Sequence, residues 1–376
     1  MTGVAPNPDD VTLVSDTSVT CGVVGVDHMH LFELVDRLVN AGVQTVAHAA
    51  GPDGSADLLG LYAGWRTGSE QRSIDDVLAD PSIDLIVTAA IPNRRADIAV
   101  TAIEAGKHVV SDKPGVTTHA QLDAVRAACA GRPGRPWTVL FTERFENRAI
   151  AEAIRLARSG AIGEVVHVIG AGPHTMWADR RPDWFWDPDA TGGILVDIGS
   201  HQVDQFLAVT GAAGDHTSVI TSSVGNVASP DHPAMQDIGS MTLAASRPAP
   251  RSGTGGGSGS GSRVVGDHRL DYLTAAGLGT WGDVRLTIVG TGGTIEARAN
   301  VDVAGTEGGE HLIVVDADGT RRADVSDVTV DWGELLLADL ADGGERLMTQ
   351  QHVFDVTDVC LRAQSAAHPW GTTPFA

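Results

Sequence analysis

Lysine is almost missing from this 376-residue chain. Only Lys107 and Lys113 occur among 26 basic residues, and the rest are arginine. Arginine serves surface pairing as well as lysine does, but it cannot supply a compact ammonium at a reacting group. Two lysines kept six residues apart in Ala105–Gly115 therefore mark positions where an amine is wanted. Chance placement in an arginine-biased composition is the plainer alternative. Cysteine is also scarce. Cys21, Cys129 and Cys360 are odd in number and far apart, which excludes a disulfide framework or a cysteine zinc motif and suggests a reducing, cytoplasmic setting. Positive charge is scarce as a whole. A net charge of -22 excludes the basic footprint that nucleic acid or an anionic membrane surface requires. No run of about 18 apolar residues offers a membrane span, and no basic-then-apolar leader is expected at the start.

Hydrophobic residues make up 42% of the sequence, enough for a buried core in two domains. Residues 1–19 are polar and read as a loose tail. From 20 to 143, short apolar runs alternate with helical spacing. Strands are expected at 20–26, 43–50, 84–90, 108–111 and 138–142, and helices at 31–39, 74–78, 96–104 and 121–130. This alternation predicts an α/β, Rossmann-like, doubly wound parallel sheet. From 144 to 376 the texture changes. After a helix at 149–158 come strand-like runs joined by glycine-rich turns, then a closing helix at 350–364. That predicts an α+β domain with a large open, mainly antiparallel sheet. The stretch 253–262, glycine and serine with one threonine, reads as a flexible hairpin loop, not a domain boundary.

The order of motifs is specific. A strand and glycine turn are followed by Ile91-Pro92-Asn93, Ala105–Pro114, Thr142–Phe145, Ser159–Val168 and Gly192–Phe206. Together they resemble the glucose–fructose oxidoreductase, inositol dehydrogenase and MocA family, over about residues 20–365. The resemblance implies an oxidoreductase using NAD or NADP on a polyhydroxylated, sugar- or inositol-like small molecule, working as a homo-oligomer, dimer or tetramer. It implies a catalytic Lys113 in Asp112-Lys113-Pro114, and catalytic Asp197 and His201 on one helix. The spacing i and i+4 independently puts Asp197 and His201 on one face, where the plainer reading is a helix-surface pair. In the implied chemistry His201 accepts the hydroxyl proton, Lys113 polarises the developing carbonyl, and Asp197 orients hydroxyls. Arg144, His174 and Trp184 are the further candidates at the substrate. Trp184-Phe185-Trp186 concentrates aromatics that could stack on a sugar-like ring or simply fill a core.

At the nucleotide the sequence departs from pattern. A dinucleotide turn has the form Gly-x-Gly-x-x-Gly. Here it is Gly25-Val26-Asp27-His28-Met29-His30, and only the first glycine is present. Asp27 is expected to repel a diphosphate or to cap the helix that follows. No acidic residue ends the second strand to hold a ribose. The cofactor candidates are thus Gly25, Asp27, His28, His30, Pro92, Asn93, Asp112 and Lys113. The broken fingerprint opens a second reading, a non-redox relative of the fold. That would be a metal-assisted hydrolase or lyase using Asp27, His28 and His30, or a small-molecule binding protein. Hydrogen-bonded residues at a helix start are the plainer account of the two histidines. For Lys107 the expectation is a solvated charge just past a helix.

Overall fold

The computed structural model describes residues 19–134, 136–246, 263–301 and 307–370. The expected tail at 1–19 lies outside them apart from Val19, and so does the glycine- and serine-rich stretch 253–262. The N-terminal half builds β1 (Thr20–Val26), α1 (His30–Asn40), β2 (Gln44–Ala49), α2 (Ala56–Trp65), β3 (Glu70–Gln71), α3 (Ile74–Ala79), β4 (Leu85–Ala89), α4 (Arg95–Glu104), β5 (His108–Asp112), α5 (His119–Gly131) and β6 (Trp137–Leu140). Its six strands are all parallel, in the order β3-β2-β1-β4-β5-β6. Every residue of β4 and β6 is buried, as expected for strands covered by helices on both faces. α1 buries Leu31, Leu34, Val35 and Leu38, one stripe at helical spacing.

The second half begins with α6 (Thr142–Phe145) and α7 (Arg148–Arg158), then β7 (Val165–Pro173), α8 (Pro188–Thr191), α9 (Ile194–Asp197) and α10 (Gly199–Thr210). β8 (Thr217–Gly225), β9 (Ile238–Ser246), β10 (Arg263–Asp271), β11 (Val284–Gly290), β12 (Gly293–Ala299), β13 (Glu310–Asp316) and β14 (Gly319–Ala323) follow. α11 (Trp332–Asp342), α12 (Gln350–Ser365) and the short β15 (His368–Pro369) close the chain. The nine-stranded sheet runs β14-β13-β12-β11-β7-β10-β9-β8-β15. It is antiparallel except at β10–β7 and β15–β8. α10 and α12 pack over one face, with Phe206, Val356 and Val359 fully buried.

Two closing helices tie the halves together. α11 returns to α1 of the N-terminal half, where Trp332 is buried with Leu31, Leu34 and Leu38 in one apolar cluster, and its indole N–H donates to Glu146 at 2.8 Å. α12 packs on α5 and β6, stacking Phe354 on Trp137, while Gln350 accepts the Trp137 backbone N–H at 2.7 Å. The edge of the parallel sheet is thus held against the second half.

Lys107 corrects the sequence expectation. It is 3% exposed. Its ammonium donates to the backbone carbonyl of Ile83 at 2.8 Å and to that of Asp80, fastening the α3–β4 turn to the start of β5. Its scarcity is structural here, because a flexible stem ending in a compact donor reaches two carbonyls under the sheet. Lys107→Met should cost roughly 1–3 kcal/mol, as buried acceptors lose a charged donor. Chemical denaturation checks this, and an unchanged midpoint would show that the two bonds are worth nothing net.

Candidate functional site

The site forms where the C-terminal ends of β1, β4 and β5 meet α9 and α10. β5 ends at Asp112, so Lys113 emerges at the sheet edge, where ligands bind in doubly wound sheets. Gly192 and Gly193, at φ 84° and 83°, turn the chain into α9. Ile198 keeps helical angles between α9 and α10, so the i, i+4 relation of Asp197 and His201 survives. Lys113 Nζ donates to Asp197 Oδ1 at 2.7 Å, and the Tyr272 hydroxyl donates to Oδ2 at 2.7 Å. The Asp197 carboxylate therefore holds a lysine and a tyrosine, not an open face for substrate. Burial opposes its charge, but the ammonium of Lys113 and the two hydrogen bonds outweigh it and hold the carboxyl ionised. Tyr272 was not foreseen. It is one of two tyrosines in the chain, and nothing local links it to residue 197.

His201 is 2% exposed and its Nδ1 has no partner among the described residues. Burial, then the nearby Lys113 charge, pushes its pKa well below the ordinary histidine value, so the ring is neutral. His174 lies over it, with centroids 6.5 Å apart and planes 14° apart. His174 Nδ1 is 3.2 Å from the Gly172 carbonyl, which can only accept, so that nitrogen carries the proton. Burial and Lys113 lower its pKa to about 3. Trp281 and Tyr272 pack on His174 at 4.8 and 6.2 Å. A small hollow beside Asp197 is lined by Phe185, Ile194, Met235, Gln236 and Tyr272. The aromatic segment divides its labour. Trp184 reaches across to His28 at 6.2 Å, Phe185 is buried against Tyr272, and Trp186 stacks on His232 at 3.8 Å.

Arg144 is not brought to this cleft face as the sequence suggests. Its guanidinium binds buried Asp204 through two bonds of 2.7 Å, and His352 shares that carboxylate at 2.7 Å. A planar fork matches a carboxylate in this bidentate way, and Asp204 lies one turn past His201 on α10.

The nucleotide edge mixes fit and departure. Gly25, at φ 85°, fits a dinucleotide turn, since a Cβ there would stand 2.4 Å from Ala90 Cβ. Pro92 opens a single 3-10 turn at the end of β4. Asn93 donates to the Asp189 carbonyl at 3.2 Å, joining this edge to α8. Asp27 caps a different helix from the one expected. It is 2% exposed and turns sideways, where Oδ1 accepts the Ser55 N–H at 2.8 Å ahead of α2. Burial raises its pKa, and the carboxylate is turned toward the start of α2. Gly51 and Gly54 are required there, because a Cβ on either would approach that carboxylate within 2.5 Å. His30 Nδ1 is 3.0 Å from Asp112 Oδ1. Asp112 also receives the buried Arg95 at 3.1 Å.

Several of these buried groups titrate in a useful window. Burial holds His201 and His174 neutral, and lowers His268 to about 4. An unfolded histidine takes up its proton near pH 6.5. Below that pH the unfolded chain binds protons the folded chain refuses, so stability falls with pH. Glu143 acts oppositely. Burial pushes it up to about 8, against bonds from Gln202 and Gln205. The folded chain keeps that proton between about 4.5 and 8, so stability falls as pH rises through this range. Below 6.5 the lowered histidines, which include His28 and His48, outnumber the raised carboxyls, where Asp27 and Glu146 join Glu143, and Glu143 acts on above it. Melting temperature should peak near pH 6.5, and Glu143→Gln should flatten the alkaline limb. A monotonic rise from pH 5 to 8 in the parent chain would contradict these assignments.

Comparison with known proteins agrees with this architecture. Residues 19–139 match the model of the oxidoreductase family with an NAD-binding Rossmann fold, and residues 150–296 match the Gfo/Idh/MocA C-terminal domain. A crystal structure from Erwinia carotovora atroseptica, assigned as an oxidoreductase, is 33% identical with a TM-score of 0.85, covering 94% of this chain and 100% of that one. An uncharacterised oxidoreductase of Schizosaccharomyces pombe is 27% identical over 37% of each chain. Levoglucosan dehydrogenase of Pseudarthrobacter phenanthrenivorans is 26% identical over 71% of this chain and 64% of its own. The matched stretch thus spans less than two thirds of these two curated relatives. With both domains matched and a full-length structural relative at this identity, the chain belongs to the Gfo/Idh/MocA family of oxidoreductases, whose N-terminal domain is an NAD-binding Rossmann fold.

Proposed function

We propose that this protein is an NAD- or NADP-dependent dehydrogenase or reductase of a polyhydroxylated small molecule. One observation carries the reading: Lys113 and Asp197 pair at 2.7 Å at the nucleotide-binding edge, with neutral His201 one helical turn along. The cofactor would lie along Gly25, Pro92, Asn93 and Lys113. When bound, its nicotinamide supplies or accepts the hydride. The protein's part is proton transfer and charge. In the oxidation direction His201, neutral and unpartnered at Nδ1 among the described residues, accepts the proton of the substrate hydroxyl. Lys113, fixed by Asp197, places an ammonium against the oxygen as it becomes a carbonyl. Tyr272 keeps Asp197 from rotating away from Lys113. The substrate class is supported by the polar cluster of Lys113, His174 and His201, with the rings of Tyr272 and Trp281 packed beside it. The name of the levoglucosan relative points the same way. A polyol ring presents alternating hydroxyls and C–H faces that such a mixed wall matches.

The variants separate these roles. Lys113→Ala should lower kcat far more than it raises KM, since the charge acts mainly in the transition state. Lys113→Arg should fail as well, because a guanidinium differs in shape. His201→Ala should cost roughly a hundredfold in rate. Tyr272→Phe should reproduce a milder Lys113 defect. Activity unaffected by both Lys113→Ala and His201→Ala in a screen of sugars and inositols with either nucleotide would overturn the reading.

We also propose that the protein assembles through the open face of its nine-stranded sheet. Ile169, Val265 and Val315 are 37–46% exposed on its strands and alternate with buried residues, whereas the helices cover the opposite face. Exposed apolar residues grouped on one sheet face mark an interaction surface. Light scattering should give a dimer or tetramer that Ile169→Asp dissociates. A monomer at micromolar concentration would exclude it.

A further inference from the structure

Three side chains that this chemistry leaves unused converge at the same sheet edge. His28 comes from the turn after β1, His30 from the first residue of α1, and Asp112 from the last residue of β5. One ligand atom of each lies within 4.8 Å of the others. His30 Nδ1 is 3.0 Å from Asp112 Oδ1, and His28 Nδ1 is 3.6 Å from Asp112 Oδ2. Metal bonds of about 2.05 Å in a tetrahedron separate ligand atoms by about 3.3 Å, close to the His30–Asp112 distance and inside the 4.8 Å that bounds the set. Asp27, which the sequence offered as the third ligand, is bound to the start of α2 instead. The carboxylate that completes the set comes from 82 residues away in sequence.

We propose that His28, His30 and Asp112 bind one divalent transition-metal ion whose open positions take an oxygen ligand in the cleft. Two imidazoles and one carboxylate suit zinc, cobalt, nickel or iron better than magnesium or calcium. The outer layer is present as well. Arg95 holds Asp112 Oδ2 at 3.1 Å and leaves Oδ1 directed at His30, the kind of support that orients metal ligands. The histidines keep 22% and 34% of their side-chain surface open, so the ion would not be sealed in.

The backbone gives a reason for an ion here. A glycine-rich turn normally presents helix N–H groups to a diphosphate. In this chain the N–H of Leu31 donates to the His28 carbonyl and that of Phe32 to the Met29 carbonyl, so these two are taken. The N–H of His30 rests on His28 Nδ1 at 3.2 Å, and an ion at that nitrogen would displace it. Arg95 and Asp112 cancel each other's charge, so a divalent ion would leave net positive charge that attracts an oxygen donor. That donor is a diphosphate oxygen of a dinucleotide or a substrate hydroxyl. Binding would displace the contact of His30 with Asp112.

The test uses the full-length chain, stripped by a chelator and titrated with Co²⁺. One equivalent should bind with visible d–d absorption. His28→Ala and His30→Ala should each weaken binding roughly 10- to 100-fold. His167→Ala, which removes an imidazole paired with Asp267 on the other sheet, should bind like the parent. Replacing Asp112 would also strand Arg95, so the histidine variants carry the test, with circular dichroism confirming their fold. Equal affinity in the His28→Ala/His30→Ala double variant, or no saturable binding by the parent, overturns the site. Inorganic pyrophosphate shifting the Co²⁺ spectrum assigns the open position to a diphosphate, and a shift with glycerol alone assigns it to a hydroxyl. No shift with either overturns the oxygen-ligand half. None of these readouts requires dehydrogenase activity, so the site and the hydride-transfer reading stand or fall separately.

Discussion

Arg95 holds the working edge of this protein in place. It is 1% exposed at the start of α4. Its guanidinium donates to the carbonyls of Ala90, Asp112, Lys113 and Pro114 at 2.6–3.0 Å and to the Asp112 carboxylate. One planar cation thus binds the ends of β4 and β5 and the turn that carries Lys113. A buried arginine is tolerable only when its donors are matched and its charge is balanced, and here both conditions hold. The position of the Lys113 ammonium, and through it the Asp197–Tyr272 pair, follows from that clamp.

Much of the architecture is legible along the chain because its physics is local. Val23, Val24, Val87 and Val110 sit in apolar runs that can only be covered strands, and the α1 stripe repeats at helical spacing. Helix α2 escapes the same reading. Its apolar residues surround it, leaving Leu61 59% and Trp65 39% exposed, so no face stands out. Lys113, Asp197 and His201 are readable because a rare residue and an i, i+4 pair survive without tertiary information.

What escapes the sequence is pairing across distance. Arg95, Tyr272 and Glu143 look like ordinary members of a helix, a strand end and a short turn. Their partners lie 17, 75 and about 60 residues away. Lys107 looks solvated because a charge after a helix usually is, and only the fold shows two carbonyls beneath it. Asp27 and Arg144 fail in the same way. Each has a carboxylate or guanidinium chemistry suited to a ligand, and each is claimed by a protein group that sequence spacing cannot reveal.

The contact of Trp184 with His28 crosses between halves of the chain, as does the bond from Asn93 to the Asp189 carbonyl. Both span the cleft entrance next to the turn after β1 and the end of β4. A molecule seated between them touches both halves at once, so its binding energy adds to the free energy that keeps the halves together. The two sheets then melt as a single cooperative unit when the cleft is filled. Widening the gap between the halves at this point parts an indole from an imidazole, so the aromatic segment contributes to that coupling.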